Sequence, residues 1–185
     1  FRIDRPENKY LKIWEKVKEI IRNEIQKRKI IAFHCCRLTD YEIQNIYKNG
    51  LKPLNTNLIN DKLLNLKESN LISNDQYEIL KNNNLANQSN RRDRLYFFHC
   101  ISTLQDESGL YRLFRAWGGE SLYYNFERDS NIFEILRLIG KPCIVVVQLD
   151  SYNLIPFFEI DEEFIKYYIS KLSNDNNCFN DCDTQ

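Results

Sequence analysis

Only two histidines occur in this chain, His34 and His99, and each sits inside an aromatic or apolar run beside a cysteine. An imidazole delivered at the end of a strand has fixed backbone geometry, and it can donate to a ligand or accept from one. His34 lies near the end of Ile30-Ile31-Ala32-Phe33-His34-Cys35-Cys36, and the polar turn Arg37-Leu38-Thr39 follows at once. Tyr96, in Leu95-Tyr96-Phe97-Phe98-His99-Cys100, offers a flat ring for stacking on a base. Glu120 closes Trp117-Gly118-Gly119-Glu120, where two glycines allow a tight turn and close approach of a ligand. A glutamate there can act as a general base or stabilise a developing cation. Arg112 and Arg115 stand off the apolar stripe of their helix and can clamp phosphates, as can the cluster Arg91, Arg92 and Arg94. Each of these residues also has a plain structural role open to it: a hydrogen-bonded core histidine, a packed tyrosine, a solvated charge.

Two other chemistries use the same residues. Zinc takes mixed Cys/His tetrahedra, and His34, Cys35, Cys36, His99, Cys100 and Cys143 are candidate ligands. Successive strand residues point to opposite faces, however, so His34 and Cys35 do not readily share a metal, and no Cys-x-x-Cys pair occurs. No metal is therefore expected. A cysteine nucleophile would pair Cys36 with His99 or Cys100 with His34.

Positioning these groups falls to a series of alternating elements. The spacing predicts an amphipathic helix over 6–28, with Tyr10, Ile13, Trp14, Val17, Ile20, Ile21 and Ile25 on one face packed on the core. Asp4 and Glu7 are placed for a capping box. Residues 30–36 read as a central, buried strand. Thr39 and Glu42 form the capping box of a helix that ends at Asn49-Gly50. Residues 55–88 read as a helical insertion of two helices, the second capped by Ser73 and Gln76, in the position of a lid. A second strand is expected over 94–101, helices over 107–117 and 130–139, a buried strand over 143–149 and a final helix over 160–172. Strands and helices without a regular alternation argue an α+β class.

The 185 residues suit a single domain, read as an N-terminal helix (1–29), an α+β core (30–160) and a flexible tail (173–185). Lysine plus arginine equals aspartate plus glutamate at 26 each, so no global field draws the chain to nucleic acid or an anionic membrane. No apolar run is long enough to span a bilayer. Cysteines within apolar runs suggest reduced thiols and a cytoplasmic setting. The opening Phe1-Arg2-Ile3-Asp4 is no signal peptide and lacks an initiator Met, which leads us to expect a longer translated product with room for a targeting segment.

The segment Ala32-Phe33-His34-Cys35-Cys36-Arg37-Leu38-Thr39, with a helix ending Lys48-Asn49-Gly50-Leu51, resembles the first strand and helix of ADP-ribosyltransferase-fold proteins. Leu95-Tyr96-Phe97-Phe98 is similar to a strand of the diphtheria-toxin and poly-ADP-ribose-polymerase branch, and Cys143–Leu149 to a later core strand. The Trp-Gly-Gly-Glu stretch is also similar to uncharacterised bacterial proteins of that kind. The resemblance covers about residues 30–160. It implies a split β-sheet core and NAD as substrate, with ADP-ribose passed to a protein, a nucleic acid or water, in a bacterial toxin or phage-defence effector. His34 would then hydrogen-bond the nicotinamide-side ribose, Tyr96 would stack on nicotinamide, and Glu120 would stabilise the oxocarbenium-like transition state. Arg37 would contact the pyrophosphate, and Cys35 stands where the family has a small residue against the carboxamide. Arg112, Arg115 and Trp117 complete the expected nucleotide contacts. The family's glutamate usually follows the strand matching 143–149, so Glu159 is a rival to Glu120. A non-catalytic module that binds a nucleotide, ADP-ribose or a partner protein is the alternative.

Overall fold

Residues 9–99, 107–128, 130–151 and 160–173 are described by the computed structural model. The chain is α+β, and its described residues form eight helices and a small antiparallel sheet of two strands. In order these are α1 (Leu11–Gln26), β1 (Lys29–Leu38), α2 (Asp40–Asn49), α3 (Thr56–Glu68) and α4 (Asn74–Asn82), then α5 (Glu107–Phe114), α6 (Glu120–Phe126), α7 (Ser130–Leu138), β2 (Lys141–Asp150) and α8 (Ile160–Ser173). The fold divides into two units, Phe1–Ile31 with Gln148–Gln185, and Ala32–Val147.

The second unit holds the main core. Ile59, Leu63 and Leu66 of α3, Tyr77 and Leu80 of α4, Leu122, Tyr123 and Phe126 of α6, and Ile132 and Leu136 of α7 bury together around Trp117. Local code starts these helices. The Thr39 hydroxyl accepts from the Glu42 backbone N–H while the Glu42 carboxylate accepts from the Thr39 N–H, a complete capping box. Ser73 and Gln76 repeat the arrangement at α4, and Asn55 caps α3 by accepting from Leu58 N–H.

α6 is absent from the sequence expectation, which gave Glu120 only a tight turn at two glycines. Gly118 and Gly119 do end the preceding turn, both at positive φ (79° and 55°). Gly119 is also the N-cap of the next helix, and Glu120 is its first residue. The stretch from 94 to 99 also departs from the expected strand. Only two isolated antiparallel bridges form there, Phe98 with Phe33 and Arg94 with Leu54, and Cys100 and Ile101 lie outside the described residues. Two partners on different elements cannot build one ladder, and the Tyr96 carbonyl between them accepts from a side chain instead. β2 is half open where a buried strand was expected: Ile144 and Val146 are 44% and 61% exposed.

The first unit pairs α1 with α8. The Arg22 guanidinium meets the buried Asp161 carboxylate at 2.7 Å, Lys18 meets Glu162 at 3.2 Å, and the Ser151 hydroxyl donates to Ile25 O at 3.0 Å. No residue of α1 is fully buried; Trp14, Lys18, Ile21 and Ile25 are half-buried, where a helix packed on the core was expected. The proposed Asp4–Glu7 box lies outside the described residues.

Candidate functional site

His34 sits on β1, half-buried, with its ring edge-on to Phe97 at 5.8 Å between centroids. Its Nδ1 lies 2.9 Å from the Tyr96 carbonyl oxygen. A carbonyl can only accept, so Nδ1 carries the proton and donates. Burial pushes the His34 pKa down, against the pull of that hydrogen bond, and the nearby Lys62 ammonium lowers it further. The ring is therefore held neutral, and in that tautomer Nε2 is a bare acceptor.

Tyr96 is 60% exposed, so its ring is open to a flat ligand, while its hydroxyl donates to the Asn90 carbonyl. The same turn carries Arg91, whose guanidinium contacts Gln88 and reaches Glu120 Oε2 at 3.4 Å. Glu120 opens α6, where the free N–H groups of the first turn favour a carboxylate. That end of α6 is tied to the same stretch by Leu85 N–H donating to Ser121 O at 2.7 Å. The turn at 88–94 thus touches Tyr96 through Asn90 and Glu120 through Arg91. His34, Tyr96 and Glu120 are linked through one short piece of backbone.

A second cluster centres on Glu42. Glu42 is buried, and its Oε2 accepts from Trp117 Nε1 at 2.7 Å and from the Thr39 N–H at 2.9 Å. Its Oε1 pairs with Lys62 at 2.9 Å. Burial alone would raise this carboxyl; Lys62, the Thr39 N–H and the Trp117 indole together outweigh it and hold Glu42 below the usual carboxylate range. Lys62 is thereby fixed near His34. The sequence marked Glu42 only as a cap. Nothing in local spacing announces that Lys62 and Trp117 meet it from other elements.

Arg37, Trp117, Arg115 and Cys35, expected at the nucleotide, are engaged or buried within the protein. Arg37 spends all three guanidinium nitrogens on carbonyls: Nε on Ile139 at 3.0 Å, Nη1 on Phe114 at 3.1 Å and Nη2 on Gly140 at 2.7 Å. Trp117 is 1% exposed, at the centre of the core. Arg115 stacks between Tyr123 and Phe133, 5.0 and 4.6 Å from the ring centroids, and pairs with Glu127. Arg112 is exposed on α5. Cys35 is buried in β1, and its thiol is pushed up by burial. Glu159 lies outside the described residues.

No family model, curated protein or solved structure matches this chain.

Among the described residues, no group of three or more His, Cys, Asp and Glu side chains is placed to hold a metal ion. Burial, opposed by Lys62, pushes the Cys36 thiol up to about 12, which removes the thiolate that nucleophilic catalysis needs. No described helix is long and apolar enough to cross a membrane.

Proposed function

We propose that this chain is an ADP-ribosyltransferase-like enzyme that cleaves NAD at the bond between nicotinamide and ribose, on a core that varies the family's split sheet. The observation that carries this reading is the pairing of His34 with Tyr96. With Nδ1–H committed to the Tyr96 carbonyl, a neutral His34 keeps Nε2 to accept from a ribose hydroxyl. The same contact fixes the backbone of Tyr96, whose exposed ring would stack on nicotinamide. As the glycosidic bond breaks, its electron pair leaves with nicotinamide and positive charge grows on the ribose. The Glu120 carboxylate would stabilise that charge and take the proton of the attacking protein, nucleic-acid or water nucleophile. Cleavage then requires Glu120 to exchange its long contact with Arg91 for the substrate.

That same contact favours the second reading, a nucleotide- or ADP-ribose-binding module. A carboxylate that stays paired with Arg91 supplies no catalysis, while His34 and Tyr96 still bind.

Calorimetric titration of NAD, with nicotinamide release followed on the same samples, separates the two. For the enzyme, Glu120→Gln keeps NAD binding and lowers release by at least a hundredfold, the usual weight of one electrostatic catalytic group, about 10²–10³. Release unchanged in Glu120→Gln removes Glu120 from the chemistry and turns attention to Glu159. Binding without release from wild type supports the module, and neither binding nor release rejects NAD for both readings.

A further inference from the structure

β1 and β2 set two cysteines against each other. The strands are ten residues long each and pair antiparallel as the two members of their sheet. End-to-end pairing of strands of equal length puts Lys29 against Asp150 and Leu38 against Lys141. The approach at the Leu38 end is close: a Cβ on Gly140 would lie 2.7 Å from the Leu38 carbonyl carbon and oxygen, and Arg37 donates to Gly140 O. Cys36 and Cys143 each stand two residues in from the Leu38–Lys141 pair, so they face each other across the ladder. Phe33 fixes the phase. Its N–H donates to Phe98 O at 2.7 Å and its carbonyl accepts from Phe98 N–H at 2.9 Å, on the far edge of β1. Alternate residues turn these groups to opposite edges, so Cys36 turns its own toward β2 and forms a hydrogen-bonded pair with Cys143. Pro142, which has no N–H, then falls at a position that faces away from β1.

Such a pair has Cα atoms about 5.5 Å apart, within the span of about 4.4–6.8 Å that a disulfide bridges. Its Cβ atoms lie about 5 Å apart against about 3.8 Å in a disulfide, so bridging closes the strands by roughly 1 Å. β2 has room to move, because its outer face is open at Ile144 and Val146. Both thiols are free and half-buried, and charge on the Cys143 sulfur acts on Cys36. Cys35 points to the other face of β1. The two cysteines also stand at the two ends of the second unit, Ala32–Val147, so a bond between them closes a loop that holds α2 to α7. Crosslinks around long loops constrain the unfolded chain most.

We propose that Cys36 and Cys143 are a redox pair whose reversible disulfide staples the two ends of this unit, with a small-molecule disulfide such as oxidised glutathione as the oxidant. Cys36 holds its proton, its thiol pushed up to about 12 chiefly by burial, so the first attack falls to the Cys143 thiolate. That attack displaces one thiolate from the oxidant and leaves a mixed disulfide on Cys143. The Cys36 sulfur, on losing its proton, attacks the Cys143 sulfur and expels the second thiolate. Both protein protons end on the released thiols, and the two electrons lost by the cysteine pair reduce the oxidant. Dithiol and disulfide are both uncharged, so burial opposes neither end state and only slows the passage between them. The inference is independent of the NAD reading. The whole chain equilibrated across ratios of reduced to oxidised glutathione, quenched in acid and mapped by peptide mass spectrometry, is the test. The expected result is a Cys36–Cys143 linkage that grows with the oxidised fraction and vanishes on return to reduced glutathione, with the urea midpoint rising and falling alongside it. Cys35→Ser should keep both responses and assigns the bond to Cys36; Cys143→Ser and Cys143→Ala should lose both. Wild type with no such linkage in fully oxidised glutathione, or with Cys36 joined to another cysteine, overturns the proposal. A Cys36–Cys143 bond that leaves the midpoint unchanged or lower overturns the staple.

Discussion

At the scale of single residues, the protonation of His34 decides what the site can recognise. An imidazolium would donate from both nitrogens, whereas the neutral ring donates to Tyr96 O and accepts at Nε2. Burial first, and Lys62 second, hold the ring neutral. The expected result is a His34 titration, followed by the ring-proton NMR shift, below the ordinary value of about 6.5. Lys62→Met should move it upward and Lys62→Arg should not. A titration at or above the ordinary value would remove the neutral acceptor from the site. Lys62→Met also strands the buried Glu42 carboxylate, so the variant should lose stability, by roughly 1–3 kcal/mol because Lys62 is itself partly exposed. Cys36 gives an independent check on the same neighbourhood. With its thiol pushed up to about 12, it should resist alkylation at neutral pH in the native protein and react once the chain is unfolded.

Among the elements, Arg37 shows why a residue with the right chemistry for a phosphate need not meet one. It leaves β1 toward the last residue of α5 and the end of α7, where unpaired carbonyls and the negative ends of two helix dipoles converge. Its planar fork satisfies three carbonyls at once, which a lysine ammonium cannot do. Arg37→Lys should therefore lower stability by about 2–3 kcal/mol in urea titration, the scale of losing charged hydrogen bonds. A change within about 0.5 kcal/mol would mean that the three carbonyls are satisfied without it. What the sequence made legible at this scale were signals contained within a few residues. The Thr39/Glu42 and Ser73/Gln76 boxes, α7 and α8 are of that kind, as is β1 as a strand, although it is one of a pair and Ile31 is 54% exposed where a central, buried strand was expected. α6 was hidden because Gly118-Gly119 has one local meaning, a stop, and Gly119 also starts a helix whose anchor is the core contact of Leu122, Tyr123 and Phe126. The clamp of Arg37, the burial of Trp117 and the Arg91–Glu120 pair depend on residues 29 to 103 positions apart in the chain, for which local spacing has no signal. Of the candidate site, the residue types were legible and their partners were not.

For the molecule as a whole, these buried groups set how stability follows pH. His34 has a lowered native value, so above about 6.5 it is neutral in both states and contributes nothing. As pH falls below that, the unfolded chain takes the proton first, and stability declines until the native ring also titrates. Glu42 is lowered too, but as an acid: its contribution is present above about 4.3, the unfolded carboxyl value, and is lost as pH falls through that range toward its native value. Both effects therefore slope the same way, one beginning near neutrality and the other two units lower. A chain with balanced charge at neutral pH also gains net positive charge on acidification, which adds a smooth decline of the same sign. The variants separate these contributions. Urea midpoints measured from about pH 7.5 to 3.5 should fall in two stages for wild type. His34→Gln should flatten the upper stage while keeping the lower. Glu42→Gln should begin less stable, having lost the charge that Lys62 and the Trp117 indole are arranged around, and should lack most of the lower stage. An upper stage unchanged in His34→Gln would assign it to groups other than this histidine and contradict the neutral, buried ring on which the reading of the site rests.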